Sequence, residues 1–268
     1  PAPAEQRPNS TRAAILVPFG LVTLIWGSTW LVIRDQIAVV PAGWSVTYRF
    51  LVASVAMAAW ALVRGDSWRI GARGMGFAAA VGLLQFVLNF NFVYRAEAFI
   101  TSGLVAVVFA LLLVPNAALA RLFLKQRMGG QLLAGSAVAM AGVVLLFVQE
   151  VRSDPSGGAT TLTGIGWTLL AIGSASSANI LQATETAKRY PMAPTLAVAM
   201  LLGAAMDAVI AWGLSGPPQF EARWGYVAGI LYLGLAASAL AFPLYYQVLR
   251  VIGPAKAAYT SVLIPVIA

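Results

Sequence analysis

The sequence predicts an all-α polytopic membrane protein, and three observations lead to this fold class. Of its 268 residues, 60% are hydrophobic and only 10% are charged, whereas a soluble domain carries roughly 25% charged residues. The hydrophobic residues form long continuous runs, unlike the alternating segments of ~10 residues in a membrane β-barrel. A helix that crosses a bilayer needs ~20 mostly apolar residues, and these runs reach that length.

Nine apolar runs are predicted to be membrane spans, because polar, proline or glycine residues separate each run from the next. The first run is too long for a signal peptide and ends without a small-residue cleavage pattern, so it counts as a span. The predicted spans are residues 13–33, 41–63, 74–94, 98–120, 130–149, 162–184, 194–214, 224–247 and 254–268. The separating segments are residues 34–40, 64–73, 95–97, 121–129, 150–161, 185–193, 215–223 and 248–253.

The lysine and arginine residues predict a cytoplasmic N-terminus, since basic residues concentrate on the inner side of a membrane. With this orientation 12 of the 17 lie on inner segments, four on outer segments, and Arg49 within a span. They are scattered over short loops and form no stripe, which argues against a nucleic-acid partner. The inner residues are Arg7, Arg12, Arg64, Arg69, Arg73, Arg121, Lys125, Arg127, Lys188, Arg189, Arg250 and Lys256, and the outer ones are Arg34, Arg95, Arg152 and Arg223.

The chain is predicted to contain two repeats with a period near 150 residues. If the first repeat has five spans, the second begins on the opposite side of the membrane, and the repeats are inverted as in many secondary transporters. Residues 1–149 form the first repeat, 150–161 the linker and 162–268 the second repeat. The matching positions are Trp60 and Trp212, Gly27 and Gly173, Gly76 and Gly225, and Pro115 and Pro265, at offsets of 152, 146, 149 and 150 residues.

The repeat also predicts a tenth span that is missing from this sequence. After Pro115 the first repeat continues through a basic turn into its fifth span, whereas the chain stops three residues after Pro265, at Ala268. The expected architecture is therefore a ten-span bundle of two inverted five-helix repeats without its last helix. The alternative is a protein of nine spans.

The amino-acid composition excludes several functions. The chain has no histidine and no cysteine, so imidazole bases, Ser-His-Asp sites, catalytic thiols and thiolate metal sites are absent. None of its three lysines stands in a G-x-x-x-x-G-K-[ST] pattern, which argues against ATP hydrolysis. An enzyme, a metal site and a bound cofactor are therefore not expected.

Neutral polar and aromatic residues inside the spans are the candidate substrate-binding groups. An unpartnered amide in hydrocarbon is costly, so each faces either another helix or a wet cavity. Packing and hydrogen bonding between helices is the alternative for every one of them. The candidates are Trp26, Ser28, Trp30, Gln85, Asn89, Ser176, Asn179, Tyr232 and Tyr259.

Two charged residues, Arg49 and Asp207, lie well inside predicted spans, and such charges are candidate functional groups. Asp207 is a candidate for proton coupling, with a hydrogen-bonded structural carboxylate as the alternative. Arg49 is a candidate coupling charge, with a structural guanidinium that snorkels or binds backbone carbonyls near the outer side as the alternative. Three prolines are predicted to break helices around a site near the membrane midplane, unless they form inert kinks. They are Pro115, Pro243 and Pro265.

Three short motifs resemble the drug/metabolite transporter superfamily, in particular its EamA-type members. Residues 24–30 (LIWGSTW) are similar to that family's W-G-S-x-aromatic opening. Pro41 followed by residues 48–50 (YRF) is similar to its P…RF pattern, and Pro115 precedes a basic turn as in its fourth span. Many members have a glutamate after that proline, whereas this chain has Lys125 nearby. Within the superfamily, the chain most resembles YddG-type amino-acid exporters.

The resemblance implies a ten-span exporter of the bacterial inner membrane. We expect a secondary transporter that exports amino acids or related small metabolites by alternating access. Its partners would be a small-molecule substrate and the lipid bilayer. An almost uncharged cavity suits a zwitterion or a neutral solute, and a phosphorylated substrate would need several convergent cations. The alternative is a drug or other neutral-metabolite exporter on the same fold; an intramembrane enzyme or a receptor is disfavoured by the lack of His and Cys and by the short loops.

Overall fold

The computed structural model describes residues 8–126, 129–153 and 158–267, and this part of the chain is helical with no strand. Two of the long helices contain a π-helical turn, and one contains a 3₁₀ turn. The helices are α1 (Pro8–Gly27), α2 (Thr29–Ile37), α3 (Ala42–Val63), α4 (Gly71–Ala96), α5 (Ser102–Leu124), α6 (Gly130–Ser153), α7 (Ala159–Ala183), α8 (Glu185–Lys188), α9 (Met192–Ser215), α10 (Trp224–Ile252), α11 (Pro254–Ala257) and α12 (Tyr259–Leu263).

Seven helical segments in the described ranges are long and apolar enough to cross a membrane. They are α1 with α2, and α3, α4, α5, α7, α9 and α10. The other two predicted spans are helical but differ from this pattern. In α6 the apolar stretch is shorter, Ala134–Glu150, and the ninth predicted span is divided into α11, α12 and a 3₁₀ turn.

The helices extend into both ends of the predicted linker. Helix α6 continues to Ser153, and α7 begins at Ala159. Residues 154–157 of the linker lie outside the described part of the chain.

Each of the three prolines predicted to break a helix lies in or beside a turn that departs from α geometry. Pro115 follows the 3₁₀ turn Ala110–Leu112 of α5. Pro243 follows the π turn Leu235–Leu240 of α10, and Pro265 lies within the 3₁₀ turn Ile264–Val266. A proline cannot donate the backbone hydrogen bond of an α-helix, and its ring crowds the preceding turn. The pattern of backbone hydrogen bonds therefore changes near these positions.

Contacts between long helices build the bundle. Helices α3 and α9 form the most extensive pair, while α1 packs on α10, and α4 packs on α7. Two glycines let backbones approach closely within this core. A Cβ at Gly82 would lie 2.6 Å from the Ala199 carbonyl oxygen, and one at Gly234 would lie 3.1 Å from the Arg49 carbonyl oxygen. Small residues serve this purpose in membrane helices, where close packing replaces the hydrophobic drive.

Candidate substrate site

A cavity of about 80 Å³ lies between the helices, and residues from α1 to α5, α7, α10 and the C-terminal segments contribute to its wall. A void of ~10–15 Å³ is enough for one water, so this cavity has room for several or for a small solute. Its wall is mainly aromatic and aliphatic with a few polar groups, as is usual in small-molecule sites. The polar lining residues are Thr29, Arg49, Gln85, Asn89, Asn179, Tyr245 and Ser261.

The break between α1 and α2 places two indole rings in this wall. Trp26 packs against Phe242 and Tyr245, with ring centroids 5.3 and 5.0 Å away. Its indole Nε1 donates a 3.0 Å hydrogen bond to the carbonyl oxygen of Ala237, which fixes the ring. Trp30 is 7% exposed and lines the same cavity. Its Nε1 has no hydrogen-bond partner among the residues described.

The π turn of α4, Gly82–Asn89, brings Gln85 and Asn89 into the lining. Such turns widen a helix locally and are frequent at functional sites. Gln85 Oε1 accepts a hydrogen bond from the Tyr246 hydroxyl at 3.4 Å. Asn89 is buried, and its Oδ1 has no partner within the described ranges. The two amides therefore differ: one is bonded to a neighbouring helix, and the other keeps an acceptor free.

Arg49 of α3 is the one charged side chain in the lining, and it is only 1% exposed. Its Nε donates to Ser238 Oγ at 2.9 Å, and Ser238 belongs to the π turn of α10. The guanidinium carbon lies 4.3 Å from the centroid of the Phe90 ring, which attracts a cation. Its Nη1 has no hydrogen-bond partner in the part of the chain that the structure describes.

A chain of hydrogen bonds connects the lining residue Asn179 to neighbouring helices. Asn179 of α7 donates to Tyr245 Oη at 3.2 Å and to Asn116 Oδ1 at 3.4 Å. Asn116 in turn donates to the carbonyl oxygen of Pro254 at 3.1 Å. The chain ties α5, α7, α10 and α11 together, so Asn179 combines a place in the lining with a structural bond.

Of the nine residues predicted to bind substrate, five line the cavity and four lie elsewhere. The five are Trp26, Trp30, Gln85, Asn89 and Asn179. Outside the lining, the hydroxyls of Ser28 and Tyr232 bond to each other and join α1 to α10. Ser176 is fully buried away from the cavity, and Tyr259 is 38% exposed, with its hydroxyl 3.9 Å from the Cβ position of Gly135 in α6.

The apolar part of the lining could not be predicted from the sequence. In a chain so rich in aromatic and aliphatic residues, nothing in the sequence distinguishes a cavity residue from one that faces lipid or another helix. The apolar lining residues not named above are Ile33, Val93, Phe109, Leu112, Ala175 and Ile264.

Asp207 does not belong to the cavity, although it is fully buried. Its Oδ1 accepts a 2.6 Å hydrogen bond from Asn91 Nδ2, and Asn91 also donates to the Val87 carbonyl oxygen. The pair connects α9 to α4 beside the second half of the π turn. The bond from Asn91 therefore satisfies the hydrogen-bonding requirement of one of the two carboxyl oxygens of Asp207.

A second buried carboxyl group, Glu97, lies in the short connection between α4 and α5. Ser102 Oγ donates to Glu97 Oε2 at 2.7 Å, and Arg34 Nη1 donates to the Glu97 carbonyl oxygen at 2.8 Å. Burial raises the pKa of the Glu97 carboxyl to about 7, while the Ser102 bond and the Arg34 charge oppose that rise. Glu97, in the connection between α4 and α5, is thus a carboxyl group whose pKa lies near neutral pH.

Among the described residues, no group of three or more Asp or Glu side chains is placed to hold a metal ion. The cavity offers amide, hydroxyl, indole and guanidinium groups instead. These groups can donate hydrogen bonds to, and accept them from, a small polar molecule.

An apolar helical bundle around a buried cavity with one cation and a few neutral polar groups is an architecture found in multi-pass membrane transporters. The chain belongs to the EamA-like transporter family, whose model matches residues 14–148. It is 30% identical over 251 residues to the uncharacterized inner membrane transporter YedA of Escherichia coli K12, covering 91% of this chain and 77% of that protein. It is 23% identical over 261 residues to protein PagO of Salmonella typhimurium LT2, covering 96% of this chain and 83% of that one.

A solved crystal structure shows the same fold. It matches with a TM-score of 0.68 at 18% sequence identity, over 94% of this chain and 86% of the other. At this level of identity the match concerns the fold alone.

Proposed function

We propose that the protein is a secondary transporter that exports amino acids or related small metabolites across the bacterial inner membrane by alternating access. The observation that carries this proposal is the cavity, which combines aromatic walls with one guanidinium and a few neutral polar groups. Such a lining suits a small zwitterion, because it offers donors and acceptors together with a single positive charge for a carboxylate.

The size of the cavity favours this substrate class over the alternative of drug export. Pockets for drug-sized ligands measure about 300–1,000 Å³, whereas this cavity measures about 80 Å³. A small metabolite therefore suits the site better than a bulky drug.

We also propose the ten-span architecture of two inverted repeats, with the N-terminus in the cytoplasm. The close contact of Gly82 with the Ala199 carbonyl corresponds to that of Gly234 with the Arg49 carbonyl, at offsets of 152 and 150 residues. The π turns of α4 and α10 stand at corresponding places, and the α1–α10 pair corresponds to α7–α4. These reciprocal contacts support a pseudo-two-fold relation between the halves, which is the usual basis of alternating access.

The proposal is tested by exchange in proteoliposomes. Vesicles that contain the purified protein are loaded with an unlabelled neutral amino acid, and entry of the labelled amino acid is followed. We expect entry well above that in protein-free vesicles prepared in parallel. Flux no higher than in protein-free vesicles across a panel of amino acids would reject amino-acid transport. Entry of a labelled hydrophobic drug that other drugs inhibit and amino acids do not would favour the alternative.

A further inference from the structure

Arg49 is a buried cation without a carboxylate partner in the described part of the chain. The ion pairs there involve Arg64, Lys188 and Arg223. The two fully buried carboxylates, Glu97 and Asp207, accept hydrogen bonds from Ser102 and Asn91 instead. An arginine remains charged in a protein, and burying an uncompensated charge is costly. An anion that enters the cavity would therefore gain from the free Nη1 of Arg49.

Two further buried polar atoms in the same lining lack partners within residues 8–126, 129–153 and 158–267. The indole Nε1 of Trp30 can only donate, and the Oδ1 of Asn89 can only accept. Both side chains are more than nine-tenths buried. With Arg49, they provide two donors, one of them charged, and one acceptor.

The charge and the hydrogen-bonding capacity of these three groups indicate the chemical class of the ligand. A carboxylate accepts from a guanidinium and an indole, while an ammonium donates to an amide oxygen and is attracted by aromatic rings. One arginine balances the single charge of a carboxylate, whereas a phosphate would call for more cations. The rest of the lining is largely apolar, with Ile33, Phe109 and Leu112 among its residues, and suits an apolar side chain.

We propose that Arg49 is the carboxylate anchor of the cavity, with Trp30 as a second donor and Asn89 as the acceptor for the ammonium group of an apolar α-amino acid. This assignment rests on the proposed function and specifies its substrate. It makes the carboxylate the group that decides whether a molecule binds.

The test compares four related molecules on the purified full chain in lipid nanodiscs. L-leucine has both charged groups, 4-methylpentanoate lacks the amine, and L-leucinamide and 3-methylbutylamine lack the carboxylate. Binding is measured by equilibrium dialysis. We expect leucine to bind most tightly, 4-methylpentanoate less tightly, and the two molecules without a carboxylate at least ~10-fold more weakly than leucine.

Arg49→Gln should weaken leucine binding by ~10-fold or more and bring leucine and leucinamide to similar affinities. Arg49→Lys keeps the charge without the planar fork and should give an intermediate loss. Arg121→Gln removes a positive charge from an exposed position of α5 and is the matched control, expected to behave as wild type. A purely structural role of Arg49 would weaken all four molecules alike and leave their order unchanged.

The outcomes separate the two proposals. Equal binding of leucine and leucinamide by the wild type, or an unchanged preference in a folded Arg49→Gln variant, would overturn the anchor while amino-acid exchange in proteoliposomes still stands. If Arg49→Gln fails to fold, the comparison of leucine with leucinamide on the wild-type protein still tests the anchor. Absence of binding by both carboxylates in the set would overturn the anchor for an apolar amino acid, whereas the proposed function is decided separately by flux across the panel of amino acids.

Discussion

Gly82→Ala tests the close contact between the two halves of the bundle. The added Cβ would lie 2.6 Å from the carbonyl oxygen of Ala199 and 3.4 Å from the backbone nitrogen of Gly203. Both atoms belong to the backbone of α9, so they cannot move aside as a flexible side chain would. Overpacking of this kind costs about 1–3 kcal/mol, against a gain of about 0.4–1 kcal/mol from replacing a helical glycine by alanine. We expect a net destabilisation of about 1–2 kcal/mol.

Gly76→Ala is the matched control in the same helix, because a Cβ there meets no atom within 4 Å in the described structure. It should be neutral or stabilise the protein by up to about 1 kcal/mol. Thermal unfolding in nanodiscs, followed by intrinsic tryptophan fluorescence, measures both variants. At about 2–4 °C per kcal/mol, the Tm of Gly82→Ala should fall by several degrees, while that of Gly76→Ala holds or rises. Equal Tm values for the two variants would refute the proposed packing.

Three further predictions concern the cavity and the buried carboxylates. Trp26→Ala removes two ring contacts and the hydrogen bond to a π-turn carbonyl, so exchange flux should fall by ~10-fold or more. The control Trp60→Ala changes a side chain that is 55% exposed and should leave the flux unchanged. Glu97 binds its proton more tightly in the folded protein, since burial raises its pKa from 4.5 to about 7. The free energy of unfolding should therefore fall by up to about 3 kcal/mol as the pH rises from about 4.5 to 7. Glu97→Gln should flatten this dependence of stability on pH. Asp207→Asn should retain both transport and its pH dependence, because an amide oxygen can still accept the bond from Asn91.

Each of these predictions has a result that would contradict it. Wild-type flux in Trp26→Ala would remove this ring from the substrate site. An unfolding profile for Glu97→Gln that keeps the wild-type slope below pH 7 would show that another group titrates there. If Asp207→Asn abolished transport driven by a pH gradient but kept exchange, Asp207 would be a proton-coupling residue and not a structural carboxylate.

Much of the helical architecture could be predicted because long apolar runs leave the backbone few alternatives in lipid. The all-helical fold is confirmed for the described residues, and seven helical segments there are long and apolar enough to span. The two π turns could not be predicted, since no residue pattern specifies where a helix accommodates an extra residue. They matter because Gln85 and Asn89 lie in one of them, while Ala237 and Ser238 of the other hold Trp26 and Arg49.

The candidate site was only partly predictable for a similar reason. Polar residues inside a span must find either a partner or a cavity, and sequence spacing does not distinguish these two cases. Asn89 lines the cavity with a free acceptor, whereas Ser28 is bonded to Tyr232 outside the lining. The apolar wall, including Phe109 and Phe242, is defined only by how the helices pack.

A structure of the protein with a bound apolar amino acid tests the central claim most directly. The amino acid should occupy the cavity beside Trp26, with its carboxylate within hydrogen-bond distance of Arg49 Nη1 and Trp30 Nε1, and its ammonium at Asn89 Oδ1. An amino acid bound between other helices in a preparation that transports it, with the cavity unchanged, would contradict the account.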